Sequence, residues 1–292
     1  MKLIRKPLFS IFLIAILIAT SFISTSLFPI EVTHAATPVT WDGGGDGSSW
    51  SSGDNWNPNG IPNADNNVTI DYTNGLTVNI GQTREVNSLT LGGTYTTTLN
   101  FNYDAVDDGA LEIDEGDLVV NSNATITHTL GSTAFSRIYI DVQAGSATIA
   151  GSINVNEKGC DRYRGINTTT GACVYLGGTG RGVDTVQNDP DAAPGGGHGG
   201  RGGHAYRFWI VTPGTYFDDP HDPVFYGGSG GTAKYSSWGF GGKSGGVVKL
   251  NVEGDFTNDG TISVNGGDGY DGNSRGGGGG AAGSINITVG GD

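Results

Sequence analysis

Beyond residue 36, apolar residues recur at every second position in short bursts. They fall at Val68/Ile70, Leu76/Val78/Ile80, Leu89/Leu91, Leu99/Phe101, Leu111/Ile113, Leu118/Val120, Ile138/Ile140/Val142, Ile153/Val155, Val248/Leu250/Val252, Ile262/Val264 and Ile285/Ile287/Val289. A period of two puts one face of each segment inside and the other in water, so these are short β-strands with one buried face. No apolar 3.6-residue period survives ten residues after Thr37, and the chain holds a single methionine, so helices are not expected.

Spacing then suggests how the strands stack. Leu99, Leu118 and Ile138 head similar strands at intervals of 19 and 20 residues, which suits one coil of a parallel β-helix. Glu115-Gly116-Asp117 and Ala150-Gly151-Ser152 leave room only for corners between strands. The competing arrangement is an antiparallel sandwich, in which Asn74-Gly75, Asp108-Gly109 and Asp259-Gly260 would be hairpin turns. A longer repeat favours the coil: Gly151-Ser152-Ile153-Asn154-Val155-Asn156 returns as Gly260-Thr261-Ile262-Ser263-Val264-Asn265, and Val247-Val248-Lys249-Leu250 resembles Ser284-Ile285-Asn286-Ile287, each behind a glycine tract. The implied unit is a strand pair, a glycine-rich excursion, and a strand that rejoins the stack.

Composition changes the picture of those excursions. The 292 residues include 53 glycines, 39 of them after residue 150, without the G-X-Y period of a triple helix. Tracts at 195–203, 227–231, 239–246 and 276–283 are either flexible loops or extended, polyproline-II-like segments close enough to hydrogen-bond one another. Interleaved aromatics, among them Tyr206, Trp209, Tyr216, Tyr226, Tyr235 and Trp238, favour order, because disordered linkers are poor in such residues.

Lys2, Arg5 and Lys6 precede an apolar run from Leu8 to about Phe28 and then Thr33-His34-Ala35, the pattern of a secretory signal peptide cleaved after Ala35 or Ala36. An uncleaved anchor is the alternative, and no second apolar stretch of membrane length follows. The formal charge is -14. Such an acidic chain lacks the clustered cations that nucleic acid requires, so nucleic acid is not an expected partner. Cys160 and Cys173 would meet an oxidising compartment and are expected to pair, adding roughly 3 kcal/mol through loop closure. The expected organisation is a signal peptide at 1–35, a Trp-rich N-terminal cap at 36–66, coils at 67–158, a disulfide-bearing glycine-rich excursion at 159–246, and further coils at 247–292.

Trp41-Asp42-Gly43-Gly44-Gly45-Asp46-Gly47-Ser48-Ser49-Trp50, then Asp54-Asn55-Trp56, Gly60-Ile61-Pro62 and Val68-Thr69-Ile70, resemble the opening of bacterial secreted passenger-type surface proteins, the autotransporter-like and filamentous-haemagglutinin-like adhesins. The resemblance covers about residues 38–155. It implies a right-handed parallel β-helix, a secreted or cell-surface location and an adhesin-like role. The glycine-rich part is similar, in composition only, to excursions of large bacterial surface proteins and to the glycine-rich domain of anaplastic lymphoma kinase-type receptors. Ile285 to Val289 are followed by Gly290-Gly291-Asp292 with no barrel or sorting motif, so continuation into a longer chain or end-to-end self-association is expected.

Candidate chemistry is sparse. Asp104, Asp107, Asp108, Asp114 and Asp117 could serve glycan cleavage, but no adjacent lysine or arginine is fixed beside a carboxylate pair. Asp42 to Gly47 faintly resembles a calcium loop without the distal glutamate, so calcium is the one cofactor left open, and no metal site is assigned. Asp218-Asp219-Pro220-His221-Asp222-Pro223 reads as an exposed turn. His198 and His204 lack a third ligand. Gly241-Gly242-Lys243-Ser244 is not a phosphate loop, because Ser237 stands where its first glycine should be. Ser229, Ser244 and Ser274 sit in Gly-x-Ser-x-Gly matches inside glycine tracts, with no helix after them. An ice- or mineral-binding surface would need flat threonine ladders, and Thr96-Thr97-Thr98 and Thr168-Thr169-Thr170 are the only runs close to one. The leading expectation is a non-enzymatic surface scaffold that binds an extracellular glycan or surface protein through Tyr206, Trp209, Tyr226, Tyr235 and Trp238, the other reading of these aromatics being that they form the excursion's own small core. The alternative is a polysaccharide-active lyase or glycoside hydrolase.

Overall fold

Burial alternates along the strands as the sequence period requires. Thr97–Phe101 and Ala124–His128 bury their first, third and fifth residues, and Ile138–Val142 does the same. The computed structural model describes residues 35–102, 110–131, 135–184, 193–206, 210–233, 239–272 and 276–291. Apart from Ala35, the expected signal segment lies outside them, as do Asp104, Asp107, Asp108, Trp209, Tyr235, Trp238 and Ser274.

The protein is all-β, and three sheets built almost wholly from parallel pairs hold most of its strands. The first runs, neighbour to neighbour, Trp56–Asn57, Thr37–Trp41, Asn66–Ile70, Ser88–Leu91, Leu118–Val120, Ala147–Ile149 and Phe256–Asn258. The second runs Leu76–Ile80, Thr97–Phe101, Ala124–His128, Ser152–Asn154 and Thr261–Ser263. The third runs Arg84–Val86, Leu111–Ile113, Ile138–Val142, Val247–Val252 and Ser284–Val289. From Asn66 onward the chain visits the first, second and third sheets in turn and then begins again. Parallel neighbours cannot be joined by tight hairpins, so the turn-like Asn74-Gly75 and Asp259-Gly260 each connect strands of different sheets. The antiparallel sandwich is thereby ruled out.

The step between paired strands is near the expected 20 residues for some pairs and longer for others. Val68 faces Leu89 and Leu89 faces Leu118, steps of 21 and 29, and Thr125 meets Ser152 after 27. Leu99, Leu118 and Ile138 lie in the second, first and third sheets, so their even spacing is not a period of the stack. The longer repeat is a true one. Ser152, Ile153 and Asn154 pair in parallel with Thr261, Ile262 and Ser263, and Val247 through Leu250 pair with Ser284 through Ile287.

The buried faces of the three sheets meet in one apolar core that includes Ile70, Val78, Ile80, Leu89, Leu99, Leu111, Ile140 and Leu250. At its N-terminal end Trp41, Trp50 and Trp56 are all buried, with Trp56 edge-on to both others at centroid distances of 4.8 and 4.9 Å. Edge-to-face pairs of this kind contribute about 1 kcal/mol each beyond their burial. Trp56–Asn57 lies antiparallel on the edge of the first sheet, and Ser49 bridges to Asn79 on the edge of the second, so both edges are covered. Asn55 holds the covering loop. Its fully buried amide accepts from the Gly45 and Gly47 N–H groups and donates to Asp46 and to the Ser49 carbonyl.

Candidate functional site

Glycine determines where the chain leaves the stack. It departs after Ser152–Asn154 in the second sheet and returns at Val247–Val252 in the third, and it departs again between Thr261–Ser263 and Ser284–Val289. The glycine tracts of both excursions hydrogen-bond backbone to backbone, largely outside regular strands. Gly196 donates to Gly279, Gly228 to Gly197, Gly230 to Gly242, Gly242 to Gly278, Gly278 to Gly231, Gly280 to Gly267 and Ala281 to Gly228, at 2.8 to 3.0 Å. Where these tracts cross, side chains have no room. A Cβ on Gly230 would land on the Gly278 carbonyl, and one on Gly196 on the Gly228 carbonyl. Of the two possibilities left by the sequence, flexible loop and close-packed bundle, the second is the one adopted.

A second small core ties the excursion to the stack. Cys160 and Cys173 are disulfide-bonded, and both are buried with Ile166, Phe217, Tyr226 and Val247. Tyr226 is wholly enclosed. Its hydroxyl donates to the Ser136 carbonyl and accepts from the Ser136 N–H, its ring stacks on His128 at 5.8 Å, and burial pushes its phenol well above the usual range. A ring in that position offers no face to a ligand, so Tyr226 fastens the excursion rather than lining a contact surface. His128 is equally buried. Its Nδ1 donates to the Thr129 carbonyl at 2.7 Å and its Nε2 accepts the Val247 N–H at 3.1 Å, which fixes the neutral tautomer. Burial pushes its pKa down to about 4.

The backbone of Tyr206 pairs in the short strand Ala205–Tyr206 against Ile210–Val211. Trp209, Tyr235 and Trp238 lie outside the described residues. Among the described residues the most exposed aromatics are Tyr216, Tyr270 and Tyr175. Tyr175 is 60% exposed at the end of the antiparallel pair Arg164–Ile166 and Cys173–Tyr175, which the disulfide anchors beside Val174 and Leu176. Arg164 lies over its ring at 5.7 Å, and Tyr163 lies 6.2 Å away. Tyr216 is 65% exposed, with Arg201 over its ring at 5.9 Å. No local signal in the sequence singled these two out, because their exposure follows from which segments pair.

Several of the described residues weighed for chemistry have structural partners. Ser229 and Ser244 are buried; Ser229 Oγ donates to the Arg164 carbonyl, and Ser244 Oγ accepts the Cys160 N–H. Lys243 Nζ lies 3.8 Å from Asp161. Asp117 accepts the Ser146 N–H at a corner between strands. Asp42 and Asp46 accept nearby backbone N–H groups, and these contacts with Asn55 hold the Asp46 carboxyl below its ordinary pKa. His221 and Asp219 are exposed and 3.3 Å apart, as expected of a turn.

Asp218, from the same segment, turns inward at a backbone φ of +73°. It accepts the N–H groups of Val224 and Phe225 and lies 2.9 Å from His198 Nε2. Burial works to raise its pKa, but these hydrogen bonds and the nearby imidazole outweigh it, leaving the carboxyl below its ordinary value. Ser284 Oγ lies 3.3 Å from the same Nε2 and donates to the Phe225 carbonyl at 2.6 Å. A serine nucleophile needs a base whose other ring nitrogen is held by the carboxylate. Here Ser284 and Asp218 meet one nitrogen, so the cluster is a three-way structural tie. No protein-family model matches the chain, and no curated protein or solved structure matches it.

Proposed function

We propose that the protein is a secreted, non-enzymatic surface scaffold of the adhesin-like type, in which the three sheets are the faces of a right-handed parallel β-helix. The excursions act as a rigid platform for binding an extracellular glycan. The observation that carries this reading is the pair of exposed tyrosines, Tyr175 and Tyr216, each with a guanidinium over its ring and each mounted on backbone fixed by glycine packing and the disulfide. An exposed aromatic face stacks on the apolar face of a sugar ring, and a platform already ordered loses little entropy on binding.

A glycan array probed with the protein tests this directly. Retention of at least one glycan class is expected, with at least about tenfold weaker binding in a Tyr175→Ala/Tyr216→Ala double variant, the loss of roughly 1.4 kcal/mol or more. Binding that survives the double variant unchanged, or retention of a surface protein but no glycan, would refute the glycan reading.

A further inference from the structure

In a chain of formal charge -14, the outward side of the second sheet carries no charge on its strands. Register places its outward residues in two columns. Thr77, Thr98, Thr125, Ser152 and Thr261 face one another in succession. Beside them stand Asn79, Asn100 and Thr127, then Asn154 and Ser263, with the Thr127 hydroxyl donating to the Asn154 carbonyl at 2.7 Å. Every position is a hydroxyl or an amide. The third sheet is unlike it, since Glu85, Glu112 and Asp141 stack there in one column.

Parallel strands fix the geometry of this array. Neighbouring strands lie about 4.8 Å apart and alternate residues along a strand about 6.6 Å apart, so the side chains form a grid. Several are held by their neighbours: Asn100 donates to Asn79 at 2.8 Å, and the Thr125 and Ser152 hydroxyls lie 3.0 Å apart. A neutral grid of hydrogen-bonding groups complements a neutral surface with a repeat of its own. The grid contains no aromatic ring on which a sugar could stack. Threonine adds a methyl beside each hydroxyl, which water in a lattice can enclose while the hydroxyl joins it. We propose that this face binds ice. The ladder runs across strands, so of the run Thr96-Thr97-Thr98 only Thr98 stands in it.

Freezing-point hysteresis and inhibition of ice recrystallisation test the proposal on the protein and three variants. The protein is expected to show both, and Thr98→Lys and Thr125→Lys to lose both while keeping the parent's circular dichroism and melting temperature. Glu85→Lys, on the third sheet, is expected to retain both. If either array variant fails to fold, Thr77→Lys, on the end strand of the sheet, reads the same surface. Hysteresis no greater than that of serum albumin at equal concentration would overturn the proposal. So would full activity in a folded array variant, or binding to crystalline cellulose that the array variants abolish without any effect on ice.

Discussion

Gly230→Ala is expected to destabilise the excursion by roughly 3–4 kcal/mol, because its Cβ would occupy the position of the Gly278 carbonyl, itself the acceptor for Gly242. Overpacking in a core of side chains is relieved by rotamer changes. Here the colliding atom belongs to backbone whose own hydrogen bonds would have to break, so relief costs further bonds through the bundle. Gly199 is the control, since a Cβ there meets nothing within 4 Å. Gly199→Ala should leave stability unchanged or raise it slightly by restricting the unfolded chain. Thermal melts and limited proteolysis would separate the two: a cleavable segment at 159–246 is expected in the first variant and not in the second. Equal melting temperatures would show that the glycines are dispensable spacers.

The second large effect is on pH. His128 is neutral and fully enclosed, with a pKa pushed down by burial to about 4, from an ordinary imidazole value of about 6.5. Between those values the unfolded chain takes up a proton that the folded chain refuses, so stability falls as pH drops through that window, by about 3 kcal/mol in all. Protonation would also take Nε2 from the Val247 N–H, which joins the returning strand to the stack. Asp218, held below its ordinary pKa by His198 and backbone amides, loses stability in the same direction at lower pH. Glu112 acts oppositely, because burial and the neighbouring Glu85, Asp141 and Asp114 carboxylates raise its pKa, and protonation relieves them. Urea melts at pH 7 and pH 4.5 should therefore show a fall in stability that is much smaller in His128→Gln. An identical fall in both proteins would place the acid sensitivity elsewhere.

Strand identity was largely legible in the sequence because burial repeats every two residues, and most of the long strands fall where that period placed them; Thr37–Trp41 and Ala124–His128 did not stand out, since Thr37–Trp41 buries only Val39 and Trp41, and Ala124 and His128 are weak or polar occupants of buried positions. The step between paired strands was not legible, since Leu99, Leu118 and Ile138 mimic a period while belonging to different sheets. Similarity over longer distances was the better guide. The segments beginning at Gly151 and Gly260 look alike because Ile153 stacks on Ile262 and both fill the same core position. The site was harder to read. Tyr226 carries no local mark that decides between a contact surface and the excursion's own core, and its contact with Ser136, 90 residues earlier, is what makes it interior. His198, Asp218 and Ser284 likewise carry no local motif, because the excursions bring them together. The threonine grid was invisible for the same reason: its order lies across the strands.

Both the scaffold and its proposed binding surface depend on the glycine tracts being ordered, hydrogen-bonded backbone. Residue-resolved amide hydrogen exchange measures this directly. Slow exchange is expected at Gly196, Gly228, Gly230, Gly242, Gly278 and Gly280, whose N–H groups are all bonded, with protection approaching that of the strand amides of Ile126 and Leu250. Exchange of those glycines at the rate of an unstructured peptide, while the strands remain protected, would contradict it.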